Sequence, residues 1–450
     1  MAIAASPHNL LWNEAQALLT RIDRMESFTL HTPMVPAAAI PLSAQVAIEH
    51  LLAEGGRKLR AMVTGYLRWL ESPAGKASPP DRAQRRYSFL RLRFIAILSQ
   101  LDIFADVLNQ RSEHDTGVWL SGLDVFAADS LRLPGNYYDP PQVICFLARG
   151  PGAAIRRART RLPGGDSNPV AVIQVPRERM IGSGIASSLV HECGHQGAAL
   201  LDLIPSLQPV LMQRIATAEV DREAWECWRR WISEIIADLW AVARLGATAT
   251  IGLMAVVGLP RVFVFRVNLD DPHPAPWIRV KLSCAMGGML YPHPLWAGLA
   301  RIWESYYPRA SLDPDRQRLF TMLESCLPEF VRLLLEHRPA GLRGGALGQV
   351  LASPDLRPTV LGETYRSWRA SPALLWRAPP TLAFAVIGQA RLDGNISAED
   401  ESSLLADLLR YWALRITLYP YADSAPPALL RPTGKTGLSH SRALQTGRLL

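Results

Sequence analysis

Ser187 to Leu201 reads SSLVHECGHQGAALL, a helix-periodic run with two histidines four residues apart. On a helix, positions i and i+4 share a face, so the rings of His191 and His195 can reach one ion. Glu192 sits one residue along, beside that ion, where it can take a proton from a bound water. Chance yields such a motif in roughly two chains per hundred, so the reading needs a third ligand. The next long helical stretch supplies one in ISEIIADLW, Ile232 to Trp240. There Glu234 and Asp238 are again four apart. Glu234 can give the oxygen ligand, and Asp238 can accept the outer N–H of a ligating histidine, His191 in the first place. Both carboxylates lie among Trp231, Ile232, Ile235, Ile236, Leu239 and Trp240, a costly setting unless a cation or hydrogen bonds compensate them. The competing use of these acids is a salt bridge to Arg229, Arg230 or Arg244.

HECGH followed by EIIAD resembles the gluzincin class of zinc metallopeptidases. The HExGH and ExxAD forms are closest to the CAAX-prenyl-protease-like peptidases and the minigluzincins. A third element of that pattern, HP with four residues and then Arg, stands at His273 to Arg279 in DDPHPAPWIRVKL. The resemblance covers about Pro169 to Lys281 and implies a zincin-like core, a Zn2+ cofactor and a protein or peptide substrate. It also implies that His273 and Arg279 line the active site and contact substrate or the developing oxyanion. Glu192 would be the general base toward a zinc-activated water. Two departures carry structural expectations. The 38 residues between His195 and Glu234 require an inserted loop or helix. Integral-membrane members have spanning helices, whereas the longest apolar stretch here, Leu245 to Pro260, is too short and too polar to span and reads as a buried helix.

Outward from the motifs, the expected fold is mainly α with a small β-sheet. Residues 1–140 read as a helical region, with a Pro-rich connector at Ser72 to Gln84 and a break at Leu133 to Pro141. Residues 141–300 form the core, with strands at Gln142 to Arg149 and Pro169 to Pro176 and helices at Ile185 to Leu203 and Asp221 to Leu245. The strand PVAVIQVP is expected to run beside the cleft and accept an extended peptide by β-addition. Residues 301–419 are again helical, and residues 420–450 read as a disordered tail.

The bulk properties exclude several classes. A charge of +8 raises nucleic acid as a partner, and its densest cluster is Arg156, Arg157, Arg159 and Arg161. No aromatic residues interleave with these arginines, so they read as a solvated helix face and no specific nucleic acid is expected. Five scattered cysteines without CxxC, no signal peptide and no transmembrane segment point to the cytoplasm. Cys193 reads as a small apolar residue packed against the sheet. Trp225, Trp228, Trp231 and Trp240 read as core. His293 reads as structural, with Tyr291 a weak candidate for bonding the oxyanion. A second function remains beside peptide hydrolysis: an inactive, zinc-stabilised helical scaffold whose flanks bind a protein partner. A third is hydrolysis of a non-peptide amide or ester.

Overall fold

Three amphipathic helices open the chain: α1 (Pro7–Asp23), α2 (Leu42–Glu71) and α3 (Pro80–Asn109). Their apolar residues recur every three or four positions, as in Tyr87, Leu90, Phe94, Ile97 and Leu101, all buried. The connector between α2 and α3 is shorter than expected. Ser72 caps a turn at Pro73–Lys76 by accepting the Gly75 N–H, and Pro80 already opens α3. The computed structural model describes residues 6–23, 32–150, 152–162, 166–177, 182–268 and 270–418. The expected tail at 420–450 lies outside the described residues.

After α4 (His114–Leu131) come the strands β1 (Val143–Ala148), β2 (Ala154–Arg156) and β3 (Ala171–Pro176), in the order β1-β3-β2. β1 and β3 are parallel, with Cys145 opposite Ile173. β2 runs antiparallel to β3, with Ile155 also opposite Ile173. Ile144 and Val172 face the opening helices, while Cys145, Leu147, Ile173 and Val175 face the main core. Both faces are buried, which is why these strands read as unbroken apolar runs.

Two expectations fail here. β3 is the central strand, paired on both sides, so PVAVIQVP has no free edge for a peptide. The arginine cluster is not helical. Arg156 ends β2 and bonds Gln100 of α3. Arg159 has a left-handed φ of 62°, and Arg161 bridges to Ser167. The Asn168 side chain holds the carbonyls of Arg156 and Arg157, and its backbone accepts the Arg159 N–H, fixing a turn where a helix would need i to i−4 bonds.

The sheet's two edges differ. Beside β1, the Gln110 amide exchanges two hydrogen bonds with the backbone of Leu147, as a neighbouring strand would. Arg111 donates to the Cys145 carbonyl, and the Cys145 N–H donates to Asp124. That edge is closed by side chains. β2 has no strand on its outer side among the described residues.

The remaining helices build one core. α5 (Ser183–Leu200) ends before Asp202, whose left-handed φ of 54° breaks the expected run to Leu203. α6 (Leu203–Thr217) fills the long spacer between the motifs, so the inserted element is a helix packed on α7 (Arg222–Leu245). α8 (Ala247–Val257) is the expected helix in the longest apolar stretch, and most of it is buried. α9 (Pro276–Leu290), α10 (Pro294–Tyr306), α11 (Pro314–Glu336), α12 (Pro358–Ala370), α13 (Pro380–Leu392) and α14 (Ala398–Leu418) are the longer helices that follow among the described residues. A single buried cluster runs from Trp119 to Trp412, so α4 and the late helices share the core of the metal-motif helices. Among the described residues no helix is long and apolar enough to cross a membrane.

Candidate metal centre

α5 and α7 lie so close because α5 has glycines where they meet. A Cβ on Gly194 would stand 2.8 Å from the Ala237 backbone, and one on Gly197 2.4 Å from the Trp240 ring. The glycine of HECGH therefore permits the approach that carries Glu234 to the histidines. Trp225, Trp228, Trp231 and Trp240 are fully buried on the same helix and anchor it.

His191, His195 and Glu234 each present one donor atom, all within 4.8 Å of one another. His191 Nε2 is 3.2 Å from Glu234 Oε2, and His195 Nε2 is 3.4 Å from Oε1. Ligands sharing one ion at about 2 Å in a tetrahedral shell stand about 3.3 Å apart, so these separations suit a small divalent cation. The carboxylate supplies a second test. Glu234 Oε2 is buried, yet it accepts no hydrogen bond: the imidazole nitrogens are near it without the alignment a bond requires. A buried carboxylate oxygen in that state is costly, and a cation among the three donors would compensate it. These residues can hold a metal ion.

The surrounding groups fix the ligands. Asp238 Oδ1 accepts from His191 Nδ1 at 2.8 Å, leaving Nε2 for the centre, as the spacing anticipated. Burial alone would lower the His191 pKa, but the charge and hydrogen bond of Asp238 outweigh it and lift the value to about 9. Burial likewise works against ionised Asp238, yet Arg279 and His191 hold it below the usual carboxylate range. The same balance holds at Glu234, where the three imidazoles overcome burial and keep the carboxylate charged. The ion partners that these acids show are the histidines and Arg279, not the competing Arg229 or Arg244.

Glu192 is buried on the same face of α5 and lines the cleft with the ligands. Burial raises its pKa, with His191 and His195 pulling the other way. His273 also lines the cleft, with Nε2 3.2 Å from Glu234 Oε2. Asp271 holds that ring by accepting from Nδ1 at 2.6 Å and from the His273 backbone N–H at 3.0 Å. His273 is half-exposed and open to the cleft. Arg279 takes another place. Its Nε and Nη2 both donate to Asp238, at 2.6 and 2.9 Å, and its buried guanidinium stands behind the site, outside the cleft lining.

The cleft has a volume of about 340 Å³. One wall is Ala153, Ala154, Ile155 and Arg157, from β2 and its flanks; the other is His191, Glu192, His195, Ser233, Glu234 and His273. Sequence reasoning missed this wall, because a three-residue strand has no readable period. It also missed Asp271, although an Asp two residues before a histidine is a local capping signal. Tyr291 is not part of the site. Its hydroxyl donates to the Ala243 carbonyl and the residue is buried in the core, so no oxyanion can reach it. His293 caps α10 by accepting the Leu295 N–H, the structural role expected. Cys193 is fully buried, its thiol toward the Ala127 carbonyl of α4.

No family model, no curated protein and no solved structure matches this chain.

Proposed function

We propose that the chain is a zinc metallopeptidase of the gluzincin kind, hydrolysing peptide bonds in the cleft between β2 and α5. The observation that carries this reading is the triangle of His191, His195 and Glu234 with Glu192 beside it on an open cleft. Zinc held by those three residues supplies Lewis acidity and a water of lowered pKa. Glu192 accepts the proton of the attacking water and returns it to the leaving amine, so the water adds across the C–N bond. A carboxyl raised by burial suits that double role. His273, fixed by Asp271, offers Nε2 toward the developing oxyanion. Asp238, clamped by Arg279, keeps the His191 ring in the ligating orientation. The unpaired edge of β2 is the place for an extended substrate backbone, in the part the sequence had given to β3. Five buried free thiols suit a reducing compartment such as the cytoplasm.

The decisive experiment pairs metal analysis with cleavage of a peptide library. Glu192→Gln should keep its zinc and lose about 10²- to 10⁴-fold in cleavage, the usual share of a general base. A variant that cleaves as well as the unaltered chain defeats the reading. An unaltered chain that binds zinc and cleaves nothing points to the scaffold function instead.

A further inference from the structure

α3 turns one face to the core and a very different one outward. Tyr87, Leu90, Phe94 and Ile97 are buried, but Phe89 and Leu92 are each 64% exposed and Ile95 is 48% exposed. Arg82, Arg85, Arg86 and Arg93 are exposed too. At 100° per residue, these four arginines, Phe89 and Leu92 fall within about a third of the helix circumference, with Ile95 at the margin. From Arg82 to Ser99 the sequence has five arginines and no acidic residue. Arg82, Arg85 and Arg93 form no ion pair among the described residues, while Arg86 lies over the Trp69 ring at 4.2 Å. An apolar stripe bordered by cations, about 20 Å long from Arg82 to Ile95, is costly to leave in water and is not buried by any of the described residues.

We infer that this face of α3 docks to an anionic lipid surface. Three features choose that occupant. The face is the convex outside of a helix, which suits a plane and not a peptide needing a groove. Large apolar side chains alternate along it with arginines, so the apolar groups can enter the headgroup boundary while the guanidiniums meet phosphates. A second copy would bring two arginine-rich faces together, a like-charge contact that opposes pairing. The same helix carries Gln100, bonded to Arg156 of β2, so the docked helix is tied directly to the cleft wall. The inference stands whether or not the cleft hydrolyses peptides.

The test is co-sedimentation of the full chain with vesicles of phosphatidylcholine alone and with added phosphatidylglycerol, at low and high salt. Binding is expected with the anionic vesicles only, and high salt should weaken it. Arg82→Gln, Arg85→Gln and Arg93→Gln should each lower the affinity about fivefold. Phe89→Ser with Leu92→Ser should lower it by about tenfold or more. All five positions are exposed, so unchanged melting temperatures will show that the fold is intact. No binding to anionic vesicles, equal binding to neutral ones, or affinity untouched by these variants would overturn the inference. A self-associated species broken by Leu92→Ser without vesicle binding would instead assign the face to a second copy, and a complex with an acidic protein alone would assign it to that protein.

Discussion

Asp124 and Glu234 are both carboxylates set largely in the interior, and they are treated in opposite ways. Asp124 is saturated. Its Oδ1 accepts from Arg111 and from the Cys145 N–H, and its Oδ2 accepts from Arg111 at 2.8 Å. Glu234 stands among three imidazoles at 3.2 to 3.4 Å, and one of its oxygens takes no hydrogen bond. The first arrangement closes the edge of β1 and leaves nothing to bind. The second has donors that converge on a point between them, and it opens on a cleft. A buried charge that is fully paired is architecture. A buried carboxylate ringed by imidazoles, with donor atoms that converge, is a place for a cation.

The comparison breaks most visibly at Arg111. Arg111→Met strips Asp124 of its charge partner and should cost about 3–5 kcal/mol of stability, read by denaturant unfolding. Adding Asp124→Leu should recover most of that loss, since the pair can be exchanged for apolar volume. A single variant as stable as the unaltered chain would show that Asp124 is not held as a charge.

Glu234→Gln should behave in the reverse sense. Without added metal it should be only modestly less stable than the unaltered chain, because the imidazoles lose a charge partner while the oxygen without a hydrogen bond is relieved. With zinc it should lose its thermal shift, and zinc affinity should fall by more than the roughly 10–100-fold that follows loss of an outer partner. Asp238→Asn gives that smaller loss, about 10–100-fold in affinity measured by chelator competition, because it loosens His191 without removing a ligand.

Asp221 sharpens the contrast as a half-buried intermediate. Burial opposes its ionisation, but the Trp225 N–H at 2.7 Å and Arg214 at 2.9 Å outweigh it, placing its folded pKa below the ordinary 3.8. A depressed folded pKa means stability present above the unfolded pKa of about 4 and lost as pH falls through the folded value. Asp221→Asn should therefore flatten the acid limb of the stability curve below about pH 4, seen by thermal melts across pH. An unchanged limb would remove Asp221 from the acid response.

Much of the site is legible in the chain because helices encode it locally. His191 and His195, and Glu234 and Asp238, are each four apart, and the helical period alone puts each pair on one face. The link from Asp238 to His191 follows from the apolar neighbours that leave the acid few partners. Less local parts escape. Arg279 sits at the spacing of a substrate contact, yet Asp238 takes its guanidinium, which only the approach of α9 to α7 could reveal. The arginine cluster looks like a helix face until β3 takes Arg156 into an edge strand and Asn168 holds the following arginines in a turn.

By itself the sequence settled where the long motif helices lie, which of their faces are apolar, and which four donors share two helical faces, since each depends on a periodicity of a few residues. Tertiary structure decided that β2 and not β3 bounds the cleft, that Gly194 and Gly197 bring the two motif helices together, and that Tyr291 is spent in the core. Those outcomes turn on pairings between residues far apart in the chain, where the winner is set by packing and hydrogen bonding in three dimensions.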